Sequence, residues 1–180
     1  MKKIIFIILI LYSNVLIADE RQSELDKLFN DLKINNTSLS FEAEQKIWKL
    51  WSTHPSDEKL TEILAKGSEL VLDQKYTQAV EVFTSVINFD PTWAEAWNKR
   101  ATVLYMMGEF EKSQNDIDEV LKLEKRHFGA LAGQGLVNIK LENYEKAIMS
   151  YEEAMKIYPS MNSPKIMIKE LKELIKNQSI

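Results

Sequence analysis

The side chains that most often carry out nucleophilic or acid–base chemistry are scarce in this 180-residue chain. Cysteine is absent, which excludes thiolate nucleophiles, disulfides and thiolate metal sites. The two histidines, His54 and His127, fall in predicted loops, where we expect each to cap a helix or stack on a neighbouring side chain. Ser113 and Ser150 lie on predicted helices with no histidine in the same turn, so no base is in place to activate either hydroxyl. We therefore expect no catalytic residue, no metal site and no cofactor.

Two further patterns could be mistaken for functional sites. Gly129, Gly133 and Gly135 follow a predicted helix rather than a strand, and their spacing does not fit a G-x-G-x-x-G phosphate-binding loop. We interpret these glycines as positions of close helix packing. The carboxylates around Asp116 and Asp118 are expected to spread over a solvated helix surface. Acidic residues outnumber basic ones by 27 to 23, so nucleic acid is not an expected partner.

Residues 1–18 have the pattern of a secretory signal peptide. Two lysines precede an apolar run from Ile4 to Leu11, and Ala18 ends the segment as a small residue. The uninterrupted run has eight residues, whereas a membrane-spanning helix needs roughly 20. The pattern predicts cleavage after Ala18 and an exported, periplasmic protein. The alternative is an uncleaved segment that anchors the protein in the inner membrane.

A repeat of 34 residues fills the middle of the chain. Shifting the sequence against itself by 34 aligns three units, 60–93, 94–127 and 128–161, with no insertion or deletion. Small residues share one column and aromatic residues another. The small column is Gly67, Ala101 and Gly135, and the aromatic column is Tyr76, Phe110 and Tyr144. Within each unit the apolar spacing predicts two antiparallel helices, and Gly108 is placed to end the first helix of the second unit.

These columns, with Pro91 and Pro159 ending two of the units, resemble the tetratricopeptide repeat. The resemblance covers 60–161 and implies an all-α solenoid of antiparallel helix hairpins. It also implies that the first helices of the units line a concave groove that holds a peptide or helix of another protein. Arg100 departs from an apolar column of the family. Because an unpaired buried charge is costly, we hypothesise an ion pair between Arg100 and Asp116 that joins the two helices of the second unit.

The aligned units place one set of side chains on the groove-facing columns of the first helices, where we expect a partner peptide to bind. The predicted groove residues are Leu64, Ser68, Glu95, Asn98, Thr102, Tyr105, Met106, Leu136 and Lys140. Asn98 is expected to hold peptide backbone, because its amide both donates and accepts hydrogen bonds. Tyr105 and Met106 are the expected apolar anchors. The alternative is a shallow groove, with binding on the convex side or on the terminal helix.

Two flanking segments complete the predicted domain organisation. Residues 19–59 contain two amphipathic patterns, separated by a polar break over 35–38. Their apolar positions are Leu25, Leu28, Phe29 and Leu32 in the first helix, and Phe41, Ala43, Ile47, Leu50 and Trp51 in the second. This pair is either a degenerate fourth hairpin or an N-terminal cap over Ile63. Residues 162–180, where Pro164 opens a helix, are expected to cap the exposed end of the array, the alternative being a docking helix.

The sequence favours a non-enzymatic interaction scaffold or assembly factor in the periplasm of a Gram-negative bacterium. One alternative is a regulatory or structural subunit of a cell-envelope enzyme complex, and another is a membrane-anchored, self-associating protein. We do not expect the carboxylate clamp with which some tetratricopeptide co-chaperones grip the tails of heat-shock proteins. The columns equivalent to that clamp hold Leu64, Ser68, Lys99, Gly129 and Gly133, of which Lys99 alone is charged. The partner's identity and the oligomeric state stay open.

Overall fold

The computed structural model describes residues 20–34 and 36–178, so the predicted signal peptide and its cleavage site at Ala18 lie outside the described residues. The described residues form nine helices and no strand, which confirms the predicted all-α fold. The helices are α1 (20–32), α2 (Thr37–Ser52), α3 (Glu58–Leu72), α4 (Tyr76–Phe89), α5 (Ala94–Met106), α6 (Phe110–Leu123), α7 (Phe128–Lys140), α8 (Tyr144–Ile157) and α9 (Asn162–Gln178). None of these helices is long and apolar enough to cross a bilayer.

Helices α3 to α8 form three antiparallel hairpins that stack in chain order. Within the hairpins α3 packs on α4, α5 on α6 and α7 on α8, while α4 meets α5 and α6 meets α7 between neighbours. The helix pairs follow the 34-residue period of the sequence, although α3 begins at Glu58, two residues before the first aligned unit. This order of contacts is that of an α-solenoid, in which each hairpin buries its apolar face against the next.

The small column explains how closely the two helices of a hairpin approach. A Cβ at Gly135 would lie 2.5 Å from the ring of Tyr151, and a Cβ at Gly67 would collide with the ring of Phe83 in the same way. In the second unit Ala101 and Ile117 share one core cluster. The chain therefore has glycine where the facing residue is aromatic, and alanine where it is an isoleucine. In each unit the sizes of the two facing residues therefore complement each other.

A left-handed residue ends the first helix of each unit. Gly108 has φ of +80°, as the sequence predicted, whereas the equivalent positions one period away are Gln74, with φ of 60°, and Glu142, with φ of 58°. Glycine adopts this conformation at no steric cost, while a side chain with a Cβ costs roughly 1–2 kcal/mol there. The second unit therefore makes this turn without the backbone strain of the other two.

The N-terminal hairpin, α1 and α2, neither stacks as a fourth unit on α3 nor covers Ile63. Its apolar residues share one core cluster with Phe128 and Tyr158, while Ile63 packs with the core of the first unit. We call the row of loops 90–93, 124–127 and 158–161, which follow the second helix of each unit, the loop edge. Helix α2 lies along this edge. Phe41, predicted to lie on its apolar face, is instead 57% exposed.

Helix α9 packs on the last hairpin in the way expected of a terminal helix. Leu171 is 4% exposed and joins Ala147, Ile148 and Tyr151 of α8 in one core cluster. Ile166, counted among the apolar residues of this helix, is 56% exposed. The apolar end of the array is thus covered by one face of α9, while part of its apolar surface stays in solvent.

Candidate functional site

The first helices of the second and third units, α5 and α7, present the surface on which most predicted groove residues lie. Their N-terminal turns are covered by α2, whereas their C-terminal turns are open. We call the region of Glu95, Asn98 and Gly129 the covered half of the groove. The open half is formed by Thr102, Tyr105, Met106, Leu136 and Lys140. Met106 is 50% and Leu136 39% exposed there.

Two tryptophans of α2 close the covered half. The indole of Trp51 stacks on the ring of His127, with centroids 3.9 Å apart and planes 9° from parallel. Trp48 meets His127 and Phe128 edge-on, at 5.5 Å and 5.4 Å. A Cβ on Gly129 would lie 2.5 Å from the indole of Trp48, so the glycine leaves the room that this ring needs. These ring contacts attach the N-terminal hairpin to the start of α7.

His127 is fully buried beneath these rings and makes two hydrogen bonds. Its Nδ1 accepts from the backbone N–H of Ala130 at 3.0 Å, which caps α7. Since Nδ1 accepts, Nε2 carries the proton, and Nε2 donates to Oε2 of Glu95 at 3.1 Å. The capping and stacking predicted for this histidine are both observed. Both ring nitrogens are occupied and shielded from solvent, which leaves neither of them free to act as a base.

The carboxylate of Glu95 lies at the centre of the covered half. Besides the bond from His127, its Oε2 accepts from Nδ2 of Asn98 at 3.0 Å. Lys99 Nζ lies 3.4 Å from Oε1 and supplies a positive charge next to this buried carboxylate. Glu95 is 1% exposed, so its charge is balanced inside the protein rather than by water.

The hairpin is held at the two ends of the loop edge as well. Near the first unit, Trp93 donates from Nε1 to the backbone oxygen of Trp51 at 2.8 Å, and His54 Nε2 lies 2.9 Å from Oδ2 of Asp90. Burial alone would raise the pKa of Asp90, but hydrogen bonds from Thr92 and His54 outweigh burial and lower that pKa. The second histidine is thus a structural link, again with its ring nitrogens occupied.

Near the third unit, the Tyr158 hydroxyl donates to Oε2 of Glu44 at 3.1 Å. Burial raises the pKa of Tyr158, and the negative charge of Glu44 raises it further. At the middle loop Arg126 pairs with Asp26 of α1 at 2.6 Å and lies over the ring of Phe29, 4.2 Å from its centroid. The hairpin therefore contacts all three loops of the edge.

Three of the nine predicted groove residues are not accessible to a partner, contrary to the prediction. Leu64 is 2% exposed because it packs in the core of the first unit. Glu95 and Asn98 are 1% and 9% exposed because the hairpin covers them. One N–H of the Asn98 amide is bonded to the carboxylate of Glu95. Ser68 is partly buried, and its hydroxyl donates to the backbone oxygen of Leu64 at 3.2 Å.

Between α5 and α7, an apolar cleft of about 70 Å³ lies where the open half meets the covered half. Its walls include Ala101, Ile117 and Val137, with Thr102 and Leu136 on the same helices. Sequence reasoning missed this cleft, although the signal was present: Gly133 lies one turn beyond Gly129 on the groove side of α7.

The predicted ion pair of the second unit is observed, and it has a structural role. Arg100 donates from Nε and from its NH2 group to the two carboxylate oxygens of Asp116, at 2.7 Å and 2.8 Å. Asp116 is 4% exposed, so the expectation of a solvated acidic surface is wrong for this residue and holds for the exposed Asp118. Within the described residues no group of histidines and carboxylates is arranged to hold a metal ion.

A larger depression lies outside the groove, between α6 and α8. Its volume is about 470 Å³, and Gln114, Asn138 and Ser150 line it together with charged side chains. Its polar groups largely bond one another, as in the bond from Ser150 Oγ to Gln134 Oε1 at 2.9 Å. Polar and charged residues make up most of the lining of this depression, whereas the cleft in the groove is lined mostly by apolar and small residues.

Comparison with known proteins gives one consistent result. Residues 129–161 match the model of the tetratricopeptide repeat. A TPR repeat-containing protein of Rhizobium etli is 29% identical over 154 residues, which are 84% of this chain and 74% of that protein. Hsp70-Hsp90 organizing protein 1 of Glycine max is 29% identical over 120 residues, or 66% of this chain and 21% of that much longer protein.

Solved structures with the same fold include the first TPR of Spaghetti (RPAP3) bound to the HSP90 peptide SRMEEVD. It has a TM-score of 0.64 and 18% identity, and the match covers 66% of this chain and 94% of that one. The crystal structure of MamA has a TM-score of 0.61 and 21% identity, covering 73% and 74% of the two chains. At these identities the likeness concerns the fold alone.

Proposed function

Because the chain is a tetratricopeptide-repeat protein, we propose that it is a non-enzymatic scaffold that binds a peptide or helix of a partner protein in the open half of its groove. The observation that carries this proposal is the exposed apolar surface of α5 and α7, which includes Met106 and Leu136, together with a cleft that Leu136 lines and that no part of the described chain fills. Apolar side chains exposed next to a cleft are typical of binding surfaces.

The chemistry of the open half favours a segment with a few apolar anchors. Met106 can adapt to an incoming side chain, and the half-buried Tyr105 offers a rigid ring with a polar tip. Lys140 is the charged member of the predicted groove residues that stays exposed. A segment that is mostly apolar, with an acidic group near Lys140, would match this surface.

The groove does not favour an acidic peptide such as SRMEEVD, the HSP90 peptide bound to the first TPR of Spaghetti (RPAP3). Among the clamp-equivalent columns, Leu64 is buried, Lys99 pairs with Glu95, and Gly129 is covered by Trp48. The positive charge and amides that would hold a terminal carboxylate are therefore missing or already bonded. We propose a partner other than a heat-shock protein tail.

We further propose that the scaffold works in the periplasm, supported by the signal-like pattern of residues 1–18. N-terminal sequencing of the protein from the cell-envelope fraction should begin at Asp19. Intact Met1 on protein from the cytoplasmic fraction would contradict export, whereas intact Met1 on membrane-bound protein would favour the inner-membrane anchor. A regulatory or structural subunit of an envelope enzyme complex stays the alternative role.

The groove is tested by affinity capture from the envelope with matched variants. Met106→Glu and Lys140→Glu change the charge of the open half, while Phe89→Glu makes a similar change at an exposed residue, 76% accessible, at the end of α4. All three should melt like the wild type. We expect the two groove variants to lose a partner that the wild type and Phe89→Glu both retain. Equal recovery by all variants would refute binding in the groove.

A further inference from the structure

We infer that the cleft between α5 and α7 is a specificity pocket that takes one aliphatic side chain, of leucine or isoleucine size, from the bound partner segment. The inference rests on the proposed function and adds the chemical class of the anchor that the groove selects. The pocket residues that carry the argument are Ala101, Ile117, Gly133 and Val137.

The pocket exists because position 133 is glycine. A Cβ added there would meet only Cδ1 of Ile117, at 3.7 Å, which is ordinary contact. At Gly67 and Gly135, in contrast, a Cβ would collide with an aromatic ring. Close packing therefore explains those two glycines and does not explain Gly133. What Gly133 provides is space in a wall that is otherwise packed.

The size of the space and its lining determine the occupant. A cavity of about 150 Å³ holds a benzene molecule, so a pocket of about 70 Å³ corresponds to about three carbon atoms, the outer carbons of a leucine or isoleucine side chain. The hydroxyls of Thr102 and Ser113 both donate to backbone oxygens of α5, at 3.0 Å and 2.8 Å. Asn98 and Tyr105 also line the pocket, but most of its lining is apolar or small, so an aliphatic side chain matches it better than a charged group, and an indole exceeds its volume.

The pocket continues an interface that the protein already forms. Gly129 lines the pocket and is also the residue against which Trp48 of α2 packs. The covered half thus accommodates apolar side chains of an amphipathic helix, and the pocket begins where that helix leaves the groove. A partner segment that extends this interface towards Met106 would place its anchor over Gly133, beside Trp48. We therefore assign the pocket to an amphipathic segment of another protein.

The first experiment selects phage-displayed random 12-residue peptides on the full chain and measures the synthetic peptides by fluorescence anisotropy. We expect the selected peptides to share one position that is leucine, isoleucine, valine or methionine. Aspartate or tryptophan at that position should weaken binding by about tenfold or more, as expected for loss of one buried aliphatic side chain. Peptides with no shared aliphatic position, or no binding peptide at all, would overturn the inference.

Gly133→Leu fills the pocket from the protein side and should weaken the selected peptides by about tenfold or more. Gln78→Leu adds the same side chain at an exposed position of α4 and should leave affinity within about twofold. The methyl resonance of Ile117 Cδ1 in the unmodified protein gives a second measurement that needs no stable variant. This resonance should shift when peptide binds, and a resonance that stays in place at saturation would contradict occupancy of the pocket.

Failure of the pocket can be separated from failure of the groove. If the peptides bind Met106→Glu more weakly but bind Gly133→Leu normally, the result supports binding in the groove and refutes the pocket. If they bind Gly133→Leu more weakly but bind Met106→Glu normally, the result supports the pocket and refutes binding in the wider groove. A mass that rises with concentration in size-exclusion chromatography, and falls for Gly133→Leu, would assign the pocket to a second copy of this chain and overturn a partner segment.

Discussion

The two halves of the groove are formed by the same two helices, but one half is covered by α2 and the other is open to solvent. In the covered half, Glu95 and His127 are bonded to each other under the rings of α2, and an indole occupies the space at Gly129. In the open half, about two turns further along, Met106 and Leu136 reach solvent, and the space at Gly133, one turn beyond Gly129, is empty of side chains.

The difference shows that a groove-facing column does not by itself define a binding site. A groove-facing residue is available to a partner only if no other part of the same chain already packs against it. The covered half has a hydrogen-bonded polar centre and packed rings, as a protein core does. The open half has exposed apolar side chains and no such centre. Four substitutions test this contrast, from the largest expected effect to the smallest.

Trp51→Ala should lower the free energy of unfolding by about 3–5 kcal/mol, because it removes a buried indole that stacks on His127. Chemical denaturation measures the loss. Phe41→Ala on the same helix removes a residue that is 57% exposed and should stay within about 0.5 kcal/mol of the wild type. Similar losses for the two variants would mean that the hairpin is not packed on the loop edge.

Glu95→Ala should cost about 1.5–3 kcal/mol, because the buried donors of His127 and Asn98 both lose their charged acceptor. Lys140→Ala removes a charge from the open half and should change stability by no more than about 0.5 kcal/mol. Urea unfolding of both variants checks this difference. A Glu95→Ala variant as stable as the wild type would show that the carboxylate is not a necessary part of the covered half.

Gly129→Ala and Gly133→Ala make the same change one turn apart on α7 and should have opposite signs. The first forces the indole of Trp48 to move and should destabilise the protein by about 1–2 kcal/mol. The second meets only an ordinary contact and should stabilise α7 by about 0.5–1 kcal/mol, because alanine favours a helix over glycine. If both variants shift the melting temperature in the same direction, the space at Gly129 and the space at Gly133 do not differ in the way described.

Met106→Ala should have the smallest effect on folding, within about 0.5 kcal/mol, because half of the side chain is already in solvent. Its effect should appear in the affinity for the captured partner instead. Thermal melts and binding titrations of the same preparation separate the two effects. A large loss of stability would place Met106 in the core rather than on an open surface.

The features that follow the 34-residue period could be predicted from sequence. The three hairpins, the left-handed turn at Gly108 and the Arg100–Asp116 pair all depend on residues within one unit or in neighbouring units. Local spacing determines such contacts, because each helix of a hairpin meets its partner across one short turn.

The position of the N-terminal hairpin could not be predicted in this way. Its contacts join residues far apart in the chain, such as Asp26 with Arg126 and Glu44 with Tyr158, and no period relates them. One signal was available: Trp93, Phe128 and Tyr158 lie in or beside the loops between units, where the repeat pattern gives them no role. The burial of Glu95 and Asn98 followed from the hairpin, so it was missed as well.

The path of the hairpin along the loop edge also determines the order in which the protein can fold during synthesis. An array whose units contact only their neighbours can fold unit by unit as the chain emerges. Here α1 and α2 form their contacts with the loop edge only late in synthesis. Asp26 meets Arg126 only after 100 further residues have been made, and Glu44 meets Tyr158 only after 114. Contacts of such long range slow folding, and they link the N-terminal hairpin to the ends of the second and third units. The array should therefore unfold in one cooperative step rather than fray from its C-terminal end.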